Sequence, residues 1–213
     1  MTSAFDRLIS QFDTALRTCA GAVGATNRPS PAAKTSPGRD VSLTPQERLD
    51  AARLMRVNHC GEVCAQALYQ GQALTAKSKR VSVSMKHAAE EETDHLSWCE
   101  TRITDLGSHV SYLNPIWYAS SFITGAITGM LGDKINLGFV AATEEAVCEH
   151  LEDHLKKLPE TDLQSHLILS QMRDDEEKHM KTALEIGGTN LPIPVKAVMK
   201  GVSKLMTRTT YWV

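Results

Sequence analysis

The 213-residue sequence predicts an all-α protein built on a four-helix bundle. Three observations carry that prediction. Apolar residues recur at steps of three and four over four long stretches. Those stretches are bounded by capping residues, glycine or proline. β-Branched residues nowhere alternate at period two over a useful length. With 42% hydrophobic and 23% charged residues, most of the chain should fold.

The elements follow in order. Phe5, Leu8, Ile9, Phe12 and Leu16 repeat at helical spacing and predict a short amphipathic helix. Residues 20–43 are rich in Gly, Ser, Thr and Pro and read as an extended, flexible linker. Residues 1–43 therefore form an appendage to a domain spanning 44–213. Thr44-Pro45-Gln46-Glu47 is a capping box with proline at the first helical position. The first long helix should run from it to about Lys77. A second fits 82–106, stopped by Gly107. Asn114-Pro115 opens a more apolar helix that reaches about Leu131. Asp133 can cap the next, which ends before Pro159. Another runs from about Thr161 to Ile186 and stops at Gly187-Gly188, and Pro194 opens a last short helix.

The four long helices each carry one stripe with a carboxylate on it. The stripes are Met55, Asn58, Glu62, Ala65, Tyr69; then Ala88, Glu92, His95, Cys99, Ile103, Leu106. They continue with Leu137, Val140, Glu144, Val147, Leu151, His154; then Leu169, Met172, Glu176, His179, Ala183, Ile186. Each set lies on one helical face and should face the core. A carboxylate there must be paired, protonated or metal-bound. Two divalent iron ions would match four glutamates in charge, and two neutral imidazoles would add ligands without charge. The spacing sharpens this reading. Glu92-x-x-His95 and Glu176-x-x-His179 are two ExxH pairs, with Glu62 30 residues before Glu92 and Glu144 32 before Glu176. One ExxH is a weak signal; two, each with a stripe glutamate upstream, form the ligand pattern of ferritin-like di-iron or di-manganese carboxylate bundles. Glu144 is preferred over Glu145 and Glu149 on its stripe position and the repeat spacing. Asp175 is either an orienting partner for a ligating imidazole or an ordinary helix-surface acid. Tyr69 is read as packing rather than a redox-active neighbour. His150 is a lesser candidate for substrate contact, and His154 lies too far along its helix from Glu144 to share a metal.

Composition bounds the partners. A net charge of −2 and few aromatics exclude a broadly basic nucleic-acid surface. Five scattered cysteines without a CxxC pair argue against zinc ribbons and thiol redox motifs, and point to a reducing, cytosolic compartment. The N-terminus does not resemble a signal peptide. No GxGxxG fingerprint occurs, so no nucleotide cofactor is expected. Residues 116–131 are uncharged, but as a helix they span only about 24 Å, short of a bilayer. They read as an interfacial segment and as the mouth for an apolar substrate, around Ile116, Trp117, Phe122 and Ile123. Lys196, Lys200, Lys204 and Arg208 recur every four residues beside an apolar face. A helix of this kind can lie on an anionic leaflet.

The blocks LMRVNHCGEVCAQALYQGQAL at 54–74, EEETDHLSWCETRI at 90–103 and QMRDDEEKH at 171–179 resemble the demethoxyubiquinone hydroxylase family, with FVAATEEAVCEHLEDHL at 139–155 matching more loosely. The resemblance runs from about Leu54 to the C-terminus. It implies a ferritin-like di-iron hydroxylase domain with interfacial helices. The implied iron ligands are Glu62, Glu92, His95, Glu144, Glu176 and His179, with Glu92 and Glu176 bridging two irons. It implies O2-dependent hydroxylation of a membrane-embedded polyprenyl benzoquinol in ubiquinone biosynthesis, by a peripheral protein on the cytoplasmic face of the cell membrane. Electrons would come from an external donor or the quinol itself, and other ubiquinone-biosynthesis proteins are candidate partners. Iron storage, or a membrane-bound assembly role, would explain the ligands but leave one or both of the apolar segment and the chemistry idle.

Overall fold

The computed structural model describes residues 4–20, 28–34 and 43–213. The described helices are α1 (Ala4–Ala20), α2 (Pro45–Thr75), α3 (Lys79–Asp105), α4 (Asn114–Met130), α5 (Asp133–Lys157), α6 (Leu163–Ile186) and α7 (Ile193–Thr210), with one 3₁₀ turn at Pro31–Lys34. No strand occurs among the described residues. The bundle is α2, α3, α5 and α6: α2 pairs with α3, α5 pairs with α6, and α3 meets α6 while α2 meets α5. The four stripes face inward, and Met55, Tyr69, Cys99, Ile103, Leu169 and Met172 are fully buried there.

Local chemistry sets the helix ends. Thr44 Oγ1 accepts from the Glu47 amide at 3.3 Å, and the Thr44 amide donates to Glu47 Oε2 at 2.7 Å, completing the capping box. Ser78 caps α3, accepting from the Val81 amide. Asp162 caps α6, one residue later than the Thr161 start expected from sequence. Gly187, at φ 123°, ends α6 in a conformation that a side chain would strain. Asp133 does not cap its own helix. Its carboxylate accepts from the amides of Lys77 and Ser78 at 2.9 and 3.0 Å, so it fastens the α2–α3 connection to the start of α5.

α2 is buried on nearly every side, because α1, α4 and α7 cover the face that the bundle leaves outward. α4 lies along α2 through small residues. A Cβ on Gly71 would fall 2.3 Å from the Phe122 carbonyl oxygen, and one on Gly125 would fall 2.2 Å from that of Leu68. Thr75 Oγ1 donates to the Ala126 carbonyl across the same seam. Gly129 follows Gly125 at an offset of four, a small-residue spacing that the apolar character of this segment masks in the sequence. The outward side of α4 exposes Ile116, Ile123 and Ile127. No described helix is long and apolar enough to cross a membrane.

α7 packs beside α5 and α2 at the end of the described chain. Lys196 Nζ meets Glu145 at 2.6 Å and Lys200 Nζ meets Glu149 at 3.4 Å, so these lysines turn toward α5. The apolar row Val198, Val202 and Leu205 is exposed too. The acids on α5 were the partners that a reading of α7 alone could not weigh. The linker expectation also changes: within 20–43, residues 28–34 pack on α6, and Ala32 seats against the core.

Candidate metal centre

Glu62 on α2, Glu92 and His95 on α3, Glu144 on α5, and Glu176 and His179 on α6 project into the space between the four bundle helices. The four glutamates and His95 are buried, and the His179 side chain is 10% exposed. Three-residue spacing places Glu and His of each ExxH pair on one face. His95 Nδ1 lies 3.0 Å from Glu92 Oε2, 3.1 Å from Glu176 Oε1 and 3.6 Å from Glu62 Oε2. His179 Nδ1 lies 3.0 Å from Glu176 Oε2 and 3.5 Å from Glu92 Oε1. Glu92 and Glu176 therefore stand between the two rings, each turning one oxygen to each imidazole. Glu62 sits on the His95 side. Glu144 sits on the His179 side, where its Oε1 accepts from the Tyr69 hydroxyl.

The outer nitrogens of the two rings are held by a crossed arrangement. His95 Nε2 is 3.3 Å from Asp175, the residue before Glu176. His179 Nε2 is 2.6 Å from Glu91, the residue before Glu92. Each half of the bundle thus orients the histidine of the other half. Such contacts fix which ring nitrogen faces inward.

The electrostatics are those of a site that calls for cations. Burial pushes Glu92 well above the usual carboxylate range, and Glu176 and Glu62 add repulsion. Burial, then Glu176, does the same to Glu144. Burial also works against the charge on Glu176, but hydrogen bonds from His179 and His95 hold it at about 2. Burial disfavours a charged His179, yet its contacts with Glu176 and Glu91 raise it to about 11. Tyr69 is pushed well up by burial and the nearby glutamates. The donors also fit a metal pair. Glu62, Glu92, His95 and Glu176 bring ligand atoms within 4.8 Å of one another. Glu144 Oε2 is buried with no hydrogen-bond donor among the described residues. Carboxylate with imidazole suits first-row divalent metals such as iron or manganese.

A family model described as ubiquinone biosynthesis protein COQ7 matches residues 50–210. The chain belongs to the COQ7 family. Among its relatives, the 3-demethoxyubiquinol 3-hydroxylase of Ectopseudomonas mendocina (strain ymp) is 55% identical over 209 residues, covering 98% of this chain and 96% of that one. The enzyme of the same name from Pseudomonas putida (strain W619) is 56% identical over 209 residues with the same coverage. That of Nitrosomonas eutropha (strain DSM 101675 / C91 / Nm57) is 54% identical over 211 residues, covering 98% of each. The likeness extends into the segment before residue 44, further than the motif blocks suggest.

In this COQ7-family chain a cavity of about 530 Å³ reaches the centre between α3 and α6. Tyr69, Met85, Val140 and Ile186 give it an apolar floor, and His179, Glu91, Asp175 and Arg28 also line it. Ile116, Trp117, Phe122 and Ile123 do not line it. α4 lies against α2, on another side of the bundle, and Phe122 packs beside Val63, Ala67 and Leu96. The mouth expected at α4 is thus not where this cavity runs. His150 is also placed elsewhere, with its ring 3.9 Å from that of His154 in a separate cavity under α7. His154 Nδ1 donates to Asn58 Oδ1 at 2.9 Å. Asp175 is buried against His95 Nε2 rather than being an ordinary helix-surface acid, and Tyr69 does more than pack, since its hydroxyl donates to Glu144. Glu91 and Arg28 were missed. The position before each ExxH motif was the available signal for Glu91; nothing local signals Arg28.

Proposed function

We propose that the chain hydroxylates a demethoxyubiquinol-type benzoquinol with O2, at two irons held by Glu62, Glu92, His95, Glu144, Glu176 and His179. The observation that carries this reading is the placement of Glu92 and Glu176, each with one oxygen toward each histidine. The irons, when bound, supply O2 activation with electrons from both metals. The protein does the rest. Four carboxylates neutralise the metal charge, and the crossed acids hold both rings with Nδ1 inward. The apolar floor beside Tyr69, Met85 and Val140 accepts a quinol ring and limits water. The Tyr69 hydroxyl, donating to Glu144, keeps a proton beside the centre.

In this reading the domain is 44–213, and the segment before it serves the bundle. The protein works as a peripheral protein on the cytoplasmic face of the membrane. The apolar outer faces of α4 and α7, with Ile123, Ile127, Val198 and Val202 exposed, support contact with lipid. Electrons arrive from an external donor or from the quinol, and further ubiquinone-biosynthesis proteins are partners for assembly. Mass spectrometry of quinones from cells lacking the gene tests the reaction. The demethoxy intermediate should accumulate and disappear on complementation; an unchanged quinone pool would overturn the proposal. Purified protein should carry about two irons per chain, and Glu92→Ala or Glu176→Ala should remove iron and activity together.

A further inference from the structure

Before the bundle begins, a short strap crosses its α3–α6 seam. The Pro31–Lys34 turn packs on α6, and Ala32 seats against the core cluster around Trp98 and Met172. The strap is fixed at its start as well. Trp98 Nε1 donates to the Arg28 carbonyl at 3.4 Å, and the Arg28 guanidinium lies 5.0 Å from the Trp98 ring centroid. From there Arg28 reaches inward. Its Nε donates to Asp94 Oδ2 at 2.8 Å and its Nη1 to Asp175 Oδ2 at 2.7 Å. Its Nη2 lies 3.5 Å from His95 Nε2.

We infer that Arg28 is a positioning residue for the metal centre: by bridging Asp94 on α3 to Asp175 on α6, it fixes the carboxylate that sets the His95 ring. This rests on the di-iron reading above. Asp94 and Asp175 are 1% and 5% exposed, and both turn their Oδ2 to the same guanidinium. Two buried carboxylates this close repel unless a cation lies between them. A planar guanidinium can serve both at once; an ammonium is a single point. With Asp175 held, its Oδ2 stays at 3.3 Å from His95 Nε2, and Nδ1 stays turned to Glu92 and Glu176. Among the described residues, no arginine bridges the acid that meets the other histidine. Glu91, which holds His179, has His87 beside it at 3.7 Å. The strap therefore braces the two histidine sites unequally: the acid at His95 is pinned by an arginine, whereas the acid at His179, though closer at 2.6 Å, has His87 beside it.

The test uses full-length protein loaded anaerobically with iron(II), as wild type, Arg28→Met, Arg28→Lys and Glu91→Gln. Three readouts are taken: iron per chain, the rate of iron release to a chelator, and the ligand-field circular dichroism of the iron pair. Melting of the metal-free proteins reports general stability. Arg28→Met should release one iron about 10–100-fold faster than wild type. Arg28→Lys should fall between the two. The dichroism should change for one iron in Arg28→Met and for the other in Glu91→Gln. Wild-type release from Arg28→Met, with or without a lower melting point, would make the strap merely structural and overturn the proposal. Equal perturbation of both irons by Arg28→Met would overturn it too. If Arg28→Met does not fold, wild-type release and dichroism in Arg28→Lys would overturn it, and faster release with one iron altered would support it. A wild type that binds no iron pair would instead sink the di-iron reading, a result visible before any variant is compared.

Discussion

Polar side chains inside this bundle divide into those that answer one another and those that answer nothing. The centre belongs to the first kind. The convergence of its four glutamates and two histidines was legible because steps of three and four decide which residues share a face, and the two ExxH pairs repeat that grammar. Glu91 was not legible, since it lies one residue off the stripe and its role is defined by a histidine 88 positions away. Arg28 was hidden for the same reason, with partners 66 and 147 residues distant. His59 belongs to the second kind. It is fully buried, neither ring nitrogen has a hydrogen-bond partner among the described residues, and burial pulls it down to about 4. A histidine whose folded value lies below its ordinary 6.5 favours the folded state fully above that pH. The contribution is lost as the pH falls from 6.5 toward 4, amounting to about 3 kcal/mol at the acid end. Denaturant unfolding of the metal-free protein at pH 7 and pH 4.5 should show this. His59→Gln, which cannot take up the proton, should lose less stability over that interval than wild type; equal losses would assign the acid sensitivity elsewhere.

At the level of elements, helix boundaries were readable where the cap is local. Thr44 with Glu47 and the glycine at 187 fell where the sequence put them, within a residue or two. Asp133 did not, because a carboxylate at a helix start can serve any nearby amide, and the α2–α3 connection offers two. α4 was readable as apolar and helical, yet its partner was not, since hydrophobicity does not say which neighbour a helix meets. The glycines say it. Gly125→Ala would drive a methyl group into the Leu68 backbone and should cost about 1–3 kcal/mol in denaturant unfolding. Gly201→Ala, in the exposed interior of α7 with nothing within 4 Å, should stabilise by about 0.5–1 kcal/mol. A loss at Gly201, or none at Gly125, would contradict the packing described for these helices. α7 adds a second lesson in partners: its basic row was visible in sequence, but the α5 acids that meet Lys196 and Lys200 at the surface were not assigned to it.

For the molecule as a whole, the proposed metal centre and the proposed membrane contact are separable demands. Removing iron with a chelator should lower the melting temperature, because four buried glutamates then keep only protons and histidines as counter-charge. Restoring iron(II) should return it; a melting point indifferent to iron would mean that the ligands are not metal-bound. Lipid contact should instead follow the apolar row of α7. Val198→Asp together with Val202→Asp should reduce co-sedimentation with liposomes at least about tenfold, since burying each valine is worth about 1.5 kcal/mol or more. Iron content should not change. Lys196→Glu with Lys200→Glu is expected to detach α7 from α5 before it alters lipid affinity, which limited proteolysis of α7 would report. The crossed hold on the two histidines has one further consequence, for the order of events during synthesis. A nascent chain that has emerged only through α3 owns Glu62, Glu92 and His95, but Asp175 and Glu176 are still to come. Its ligands cannot be set until α6 leaves the ribosome and docks. In the di-iron reading, iron capture is thereby deferred until α6 has emerged and docked, when all four bundle helices are present to enclose what they bind.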